Sequence, residues 1–239
     1  KKTQLDNRFR SEGVCIADFN NDGRMDIAAG SQLYLRDDNA PDGWQRVTVA
    51  EELREFDPKV YSDSFMNYAE DQNGDGYLDL IVVDFPGKQT WWFENTLGTA
   101  AQGGNAAGHT SWPRHEITPI TSNESPQYLD LTGNGRRELL CGVGGNIMAY
   151  LSPQSHPQAK WKINPVSLPG SPGTERFSHG LGAGDLNGDG RSDVVITNGW
   201  WEAPPVGSDP TQPWVFHSHK FGPACSQMYI FDFDGDGDQ

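Results

Sequence analysis

Five stretches of this sequence set acidic and amide side chains on alternate positions of a glycine-bent turn. They read DFNNDGRMD (18–26), DQNGDGYLD (71–79), DLTGNGRRE (130–138), DLNGDGRSD (185–193) and DFDGDGDQ (232–239), the last stopping one residue short of its ninth position. Positions 1, 3 and 5 put side-chain oxygens on one side of the turn, position 7 can turn its carbonyl inward, and position 9 adds a carboxylate. Glycine at position 6 permits a bend that other residues resist. The expected donors are Asp18, Asn20, Asp22, Asp26 and the Arg24 carbonyl in the first loop, and Asp71, Asn73, Asp75, Asp79 and the Tyr77 carbonyl in the second. The fourth offers Asp185, Asn187, Asp189, Asp193 and the Arg191 carbonyl, and the fifth Asp232, Asp234, Asp236 and Asp238. The third is poorer: Asp130, Thr132, Asn134, the Arg136 carbonyl and Glu138 include only two charged donors. Oxygen-only donors suit a hard cation, and a flexible ring of six to eight favours Ca²⁺ over Mg²⁺. Three or more structural ions are expected, each clipping a bend. The alternative is a set of Asx-turns whose aspartates cap backbone amides without metal.

These loops recur with starts 53, 59, 55 and 47 residues apart, the length of a propeller blade. Short apolar runs flank them: 13–17, 180–184 and 227–231 before, and 27–30, 80–83, 139–141 and 194–197 after. Such runs, rich in Val and Ile and bounded by Gly and Asp, read as buried strands. A further strand is expected at 32–35, 90–93 and 146–151, and a weaker one at 45–49, 114–118 and 214–219. Four strands per repeat predict an all-β propeller over 1–239 as one region, a segment of a six- to eight-bladed ring with blades missing at the C-terminal end. A calcium β-helix needs shorter repeats, and EF-hands need flanking helices and a position-12 glutamate. The small-residue insertion at 98–113 is expected to be an exposed loop, and the proline-rich stretches at 164–178 and 202–213 ordered irregular loops that could wall a pocket on one face.

The DxNxDGxxD loops resemble the FG-GAP and VCBS repeat family. That resemblance implies a β-propeller and bound calcium, and it embraces adhesion heads, lectin-like modules and polysaccharide-active enzymes. The aromatic and inter-blade pattern is also similar, more distantly, to the propeller part of the fungal aldos-2-ulose dehydratases, a carbohydrate lyase and isomerase family. No catalytic residue of that family maps onto this sequence, and no cupin-like second domain follows.

Ligand chemistry on such a scaffold is expected where innermost strands begin. Six residues before each loop stand Glu12, Phe65, Glu124, His179 and Ser226, with Asp63, Ser64, Asn123 and Ser125 nearby. Glu124 and His179 are the candidate acid/base pair; polar residues facing channel water are the alternative. Trp92, Trp200 and Trp201, beside Asp84 and Asn198, are candidate sugar-stacking positions together with Asp63. One tryptophan of each adjacent pair must point away from the other, so packing between blades competes with exposure. No GxSxG, P-loop or dinucleotide fingerprint is present.

Composition narrows the partners. The chain carries 18 basic and 33 acidic residues, a formal net charge of -15, which disfavours nucleic acid and anionic lipid. Fifteen of those carboxylates lie in the five loops, where cations would neutralise them. No apolar run is long enough to insert in a bilayer. Three cysteines preclude a fully paired disulfide framework, and Cys15 and Cys141 sit in apolar runs as buried thiols. The expected function is a calcium-stabilised propeller, extracellular or periplasmic, that binds carbohydrate or a protein partner. A carbohydrate lyase or dehydratase working in the central funnel and a structural or adhesion module are the alternatives.

Overall fold

Short apolar runs punctuated by acidic turns give an all-β chain, seen in a computed structural model that describes residues 2–51, 54–100, 111–237 and 239. The described residues form four four-stranded antiparallel sheets, each meandering in chain order. Sheet one comprises β1 (Cys15–Ala17), β2 (Asp26–Ala29), β3 (Gln32–Arg36) and β4 (Trp44–Thr48). Sheet two comprises β5 (Met66–Glu70), β6 (Asp79–Val83), β7 (Lys88–Phe93) and β8 (Arg114–Thr121), with the one-turn α1 (Leu97–Ala100) between its last two strands. Sheet three comprises β9 (Gln127–Leu129), β10 (Glu138–Val143), β11 (Ile147–Ser152) and β12 (Lys162–Pro165). Sheet four comprises β13 (Gly182–Gly184), β14 (Asp193–Ile196), β15 (Gly199–Glu202) and β16 (Val215–Ser218).

The second strand of each sheet is almost wholly apolar because neighbours cover both its faces: every residue of β6, β10 and β14 is buried. The first four acidic loops are the turns that join first strand to second, so each sheet folds its acidic sequence at the same place.

The chain divides into two compact units, residues 1–119 with 155–160 and residues 120–154 with 161–239. In the first, the start of β1 packs on the start of β5. The Glu12 and Gly13 N–H groups reach the Ser64 carbonyl, and a Cβ on Gly13 would lie 2.4 Å from the Phe65 carbonyl oxygen. Its core gathers Phe19, Leu33, Val49, Leu80 and Trp112. In the second, the Glu124 N–H donates to the Ser178 carbonyl, the same link one repeat pair later. The core there gathers Leu131, Leu140, Met148, Val194 and Trp201.

Two expectations are corrected. Residues 164–178 are not loop throughout, because β12 runs to Pro165, a proline tolerated at the end of an outermost strand. Residues 227–231, read as a strand from their apolar pattern, form no ladder. They run beside β13, with the Met228 N–H at 3.4 Å from the Leu181 carbonyl, but none of the described residues supplies a strand on their other side. Most of the insertion at 98–113 lies outside the described residues.

Candidate functional site: the acidic loops and the cleft beside them

Each acidic loop is wound around its own first carboxylate. Asp18 accepts the N–H groups of Asp22 (3.1 Å) and Gly23 (2.8 Å). Asp71 accepts those of Gly74, Asp75 and Gly76, and Asp185 those of Gly188, Asp189 and Gly190. This winding requires left-handed backbone at the sixth position, where Gly23, Gly76, Gly135, Gly190 and Gly237 all have φ between 82° and 98°. At the fourth position the same conformation falls to glycine in four loops and to Asn21 (φ 58°) in the first, asparagine being the side chain that best tolerates it.

The ninth carboxylate is a buried tie. Asp26 accepts the Phe19 N–H (2.9 Å) and the Arg36 N–H (2.7 Å), joining loop to β3. Asp79 does the same with Gln72 and Asn95, and Asp193 with Leu186 and Ala203. Burial dominates their titration: Asp79 is pushed up to about 7, and Asp26 and Asp193 are raised. By contrast the Arg24 guanidinium lowers Asp22 to about 2, and Arg191 pairs with Asp189 in the corresponding way.

In the fifth loop, carboxylate oxygens of Asp232, Asp234 and Asp236 lie within 4.8 Å of one another, a group that could hold a metal ion. The Gly235 and Gly237 N–H groups turn towards Asp232 and lower its pKa. Asp238 lies outside the described residues.

The funnel candidates divide between the two units. Asp63 belongs to the first unit, where it is ion-paired with Arg54. Glu12 accepts the Ser62 N–H (2.8 Å) and its hydroxyl. Phe65 is buried, and Asp84 is half-buried with its pKa raised by burial. In the second unit Glu124 and His179 lie on neighbouring segments, joined by the Glu124–Ser178 backbone bond. His179 is exposed and its Nδ1 donates to the Cys225 carbonyl (2.5 Å). A carbonyl only accepts, so Nδ1 carries a proton, and in the neutral ring Nε2 is the nitrogen with the lone pair. Around them Ser122 Oγ, Asn123 Nδ2 and Ser178 Oγ are buried without a hydrogen-bond partner, and Phe177 sits at φ 67°.

The tryptophans divide by strand alternation. Trp92 and Trp201 are each 1% exposed, while Trp91 and Trp200 are partly exposed. Burial therefore removes Trp92 and Trp201 as sugar platforms. Asn198 is exposed on the turn before Trp200. An arrangement set only by strand alignment recurs in two sheets. His217 stacks on Trp200 (4.3 Å, 17°) with Nε2 at 2.7 Å from Glu202, and His115 lies on Trp92 (4.4 Å) with Nε2 at 2.9 Å from Glu94. Equivalent register positions carry both trios, but β16 and β8 had to be aligned before the histidines could be assigned partners.

The second unit also holds a cleft of about 440 Å³, one wall of which is the proline-rich stretch expected to border a pocket. The third loop (Leu131–Asn134) forms one wall, the fourth loop (Gly190–Ser192) another, and the segment from Ala203 to Pro210 a third. Tyr150 and Trp214 line it as an aromatic pair, ring centroids 6.1 Å apart and tilted by 53°. Arg191 supports the proline-rich wall through Nε, 3.0 Å from the Ala203 carbonyl, and Asp193 holds the Ala203 N–H at 2.8 Å. The only advance signal was a proline-rich stretch ending in a tryptophan.

Cys15 and Cys141 are free thiols whose pKa burial pushes up to about 12, which leaves them unreactive. No helix among the described residues is long and apolar enough to cross a membrane.

The FG-GAP repeat family model matches residues 177–208, the repeat unit that contains the fourth loop and Trp200–Trp201. No curated protein matches the chain. A solved structure of an Agrocybe aegerita lectin, described for specific recognition of non-reducing terminal N-acetylglucosamine, is similar over 86% of this chain at 18% identity with a TM-score of 0.50. This chain spans about half, 51%, of that lectin's length. The likeness is one of fold alone.

Proposed function

We propose that the chain is a carbohydrate-binding segment of a β-propeller, working outside the cytoplasm, whose blades are the four sheets and whose acidic loops are held by calcium ions. The observation that carries the sugar-binding part is the cleft lined by Tyr150 and Trp214 between two acidic loops. Tilted aromatic rings offer an apolar face to a pyranose, and the hydroxyl oxygens of Thr132 and Ser208, which already donate their protons within the protein, can accept from its edge. The lectin of similar fold makes a glycan ending in N-acetylglucosamine the first ligand to try.

The donor chemistry of loops one, two, four and five fits calcium. Each presents at least two carboxylates with an amide or third carboxylate at alternate positions. A bound cation would clip first strand to second, and the clip in the fourth loop would brace the wall that carries Arg191. Extracytoplasmic calcium is abundant enough to fill modest sites.

Glycan-array binding of the intact protein in calcium, repeated with Trp214→Ala, tests this. Loss of one stacking surface lowers affinity about tenfold, on the order of 1.4 kcal/mol. Absence of any glycan binding in calcium would refute the sugar-binding proposal.

A second reading, a carbohydrate lyase, is favoured by one feature: His179 and Glu124 stand on segments joined by a backbone bond, next to the strained Phe177 and to buried polar groups that find no partner among the described residues. Release of unsaturated sugar product that disappears in His179→Ala would establish it, and turnover unaffected by both His179→Ala and Glu124→Gln would end it.

A further inference from the structure

Loops one, two and four divide the ninth carboxylate's work in one way. One oxygen takes an N–H at the loop's second residue, and the other takes the N–H that lies just beyond the cross-strand partner in the third strand. Register fixes which residue that is. The pairs Ile27↔Tyr34, Leu80↔Phe93 and Val194↔Trp201 place it at Arg36, Asn95 and Ala203. In sheet three the pair Leu139↔Leu151 places Pro153 there, and proline has no N–H to give.

The third loop answers that loss. Its ninth residue is glutamate, one methylene longer, 1% exposed and turned into the loop. Glu138 Oε2 accepts the Leu131 N–H at 2.9 Å, as the aspartates do in the other loops. Its Oε1, deprived of a strand donor, accepts the Thr132 hydroxyl at 3.0 Å and the Asn134 Nδ2 at 2.9 Å. The Asn134 amide cannot flip to offer oxygen instead, because its Oδ1 already accepts the Arg136 N–H at 2.8 Å. Asp130 accepts the Asn134 and Gly135 N–H groups, so the winding of the loop is kept.

We propose that the third loop is closed by its own side chains and takes no cation. Hydroxyl and amide protons from positions 3 and 5 satisfy the buried carboxylate that a metal would otherwise neutralise. A cation entering here would have to strip Glu138 Oε1 of both donors, with two carboxylates to compensate rather than three. Leu131, Thr132 and Asn134 line the cleft, so this wall stands without metal while the opposite wall rests on the fourth loop. That asymmetry, though not the clasp itself, rests on the calcium and cleft proposals above.

Counting bound calcium by isothermal titration calorimetry on the intact protein tests the clasp. Asp185→Asn should lower the count by one, whereas Asp130→Asn should leave it at the wild-type number. Thr132→Asn combined with Asn134→Asp rebuilds the donor pattern of the other loops and should raise it by one. A count that falls in Asp130→Asn, or one unchanged in the rebuilt loop, overturns the proposal. Where Asp130→Asn does not fold, the rebuilt loop alone decides. A wild type that binds no calcium defeats the calcium proposal, and the comparison with the rebuilt loop still judges the clasp.

Discussion

The Asp193 carboxylate holds two N–H groups at once, from Leu186 in its own loop and from Ala203 just past β15. Removing a buried acceptor costs about 1–3 kcal/mol for each donor left orphaned. Asp193→Ala is therefore expected to destabilise by about 2–6 kcal/mol, measured by urea denaturation in chelator so that metal loss does not contribute. Asp79 adds a pH signature. Its folded pKa is about 7 against an ordinary 3.8, raised by burial. The metal-free fold then binds a proton more readily than the unfolded chain. The resulting stability is fully present below about pH 4 and is lost as pH climbs towards 7. Asp26 and Asp193 shift in the same direction. In chelator the melting temperature should fall between pH 5 and pH 8 on this account, and the fall should shrink when calcium favours the charged form. Asp79→Asn in chelator should flatten the profile; a wild-type profile already flat would contradict the burial argument.

Elements set what each residue can do, and this is where sequence and structure part. The period, the turn positions and most strand locations were legible because loop chemistry repeats and the flanking runs are apolar. What stayed hidden depends on register. Nothing local to Asp26 says that Arg36 will meet it, nor that His217 will stack on Trp200, since strand alignment decides both. β12 was hidden by Pro165, which reads as loop until an edge position is known, and 227–231 was over-read because an apolar run needs a partner to become a strand. One wall of the cleft was legible in the prolines of 202–213, but its aromatic pair was hidden because Tyr150 and Trp214 come from separate elements of the second unit. Pro153 was visible all along, but it acquires meaning only opposite Glu138. The turns themselves make a checkable demand. Gly190 sits at φ 83°, so Gly190→Ala should cost about 1–2 kcal/mol and weaken calcium binding at the fourth loop, seen by calorimetry as loss of its contribution. Unchanged stability would show that the left-handed turn is not required.

Across the whole molecule, a formal charge of -15 and fifteen loop carboxylates are compatible with a folded chain when cations bind the folded state and not the unfolded one. At calcium a hundredfold above its dissociation constant each site adds about 2.7 kcal/mol, and several sites together dominate the stability of a protein this size. The most direct measurement is the thermal unfolding of the intact protein in excess calcium and in excess chelator at neutral pH. The account predicts that chelation lowers the melting temperature by more than about 10 °C and that restored calcium reverses the shift. Superimposable melting curves would mean that the acidic turns are held by backbone N–H groups alone.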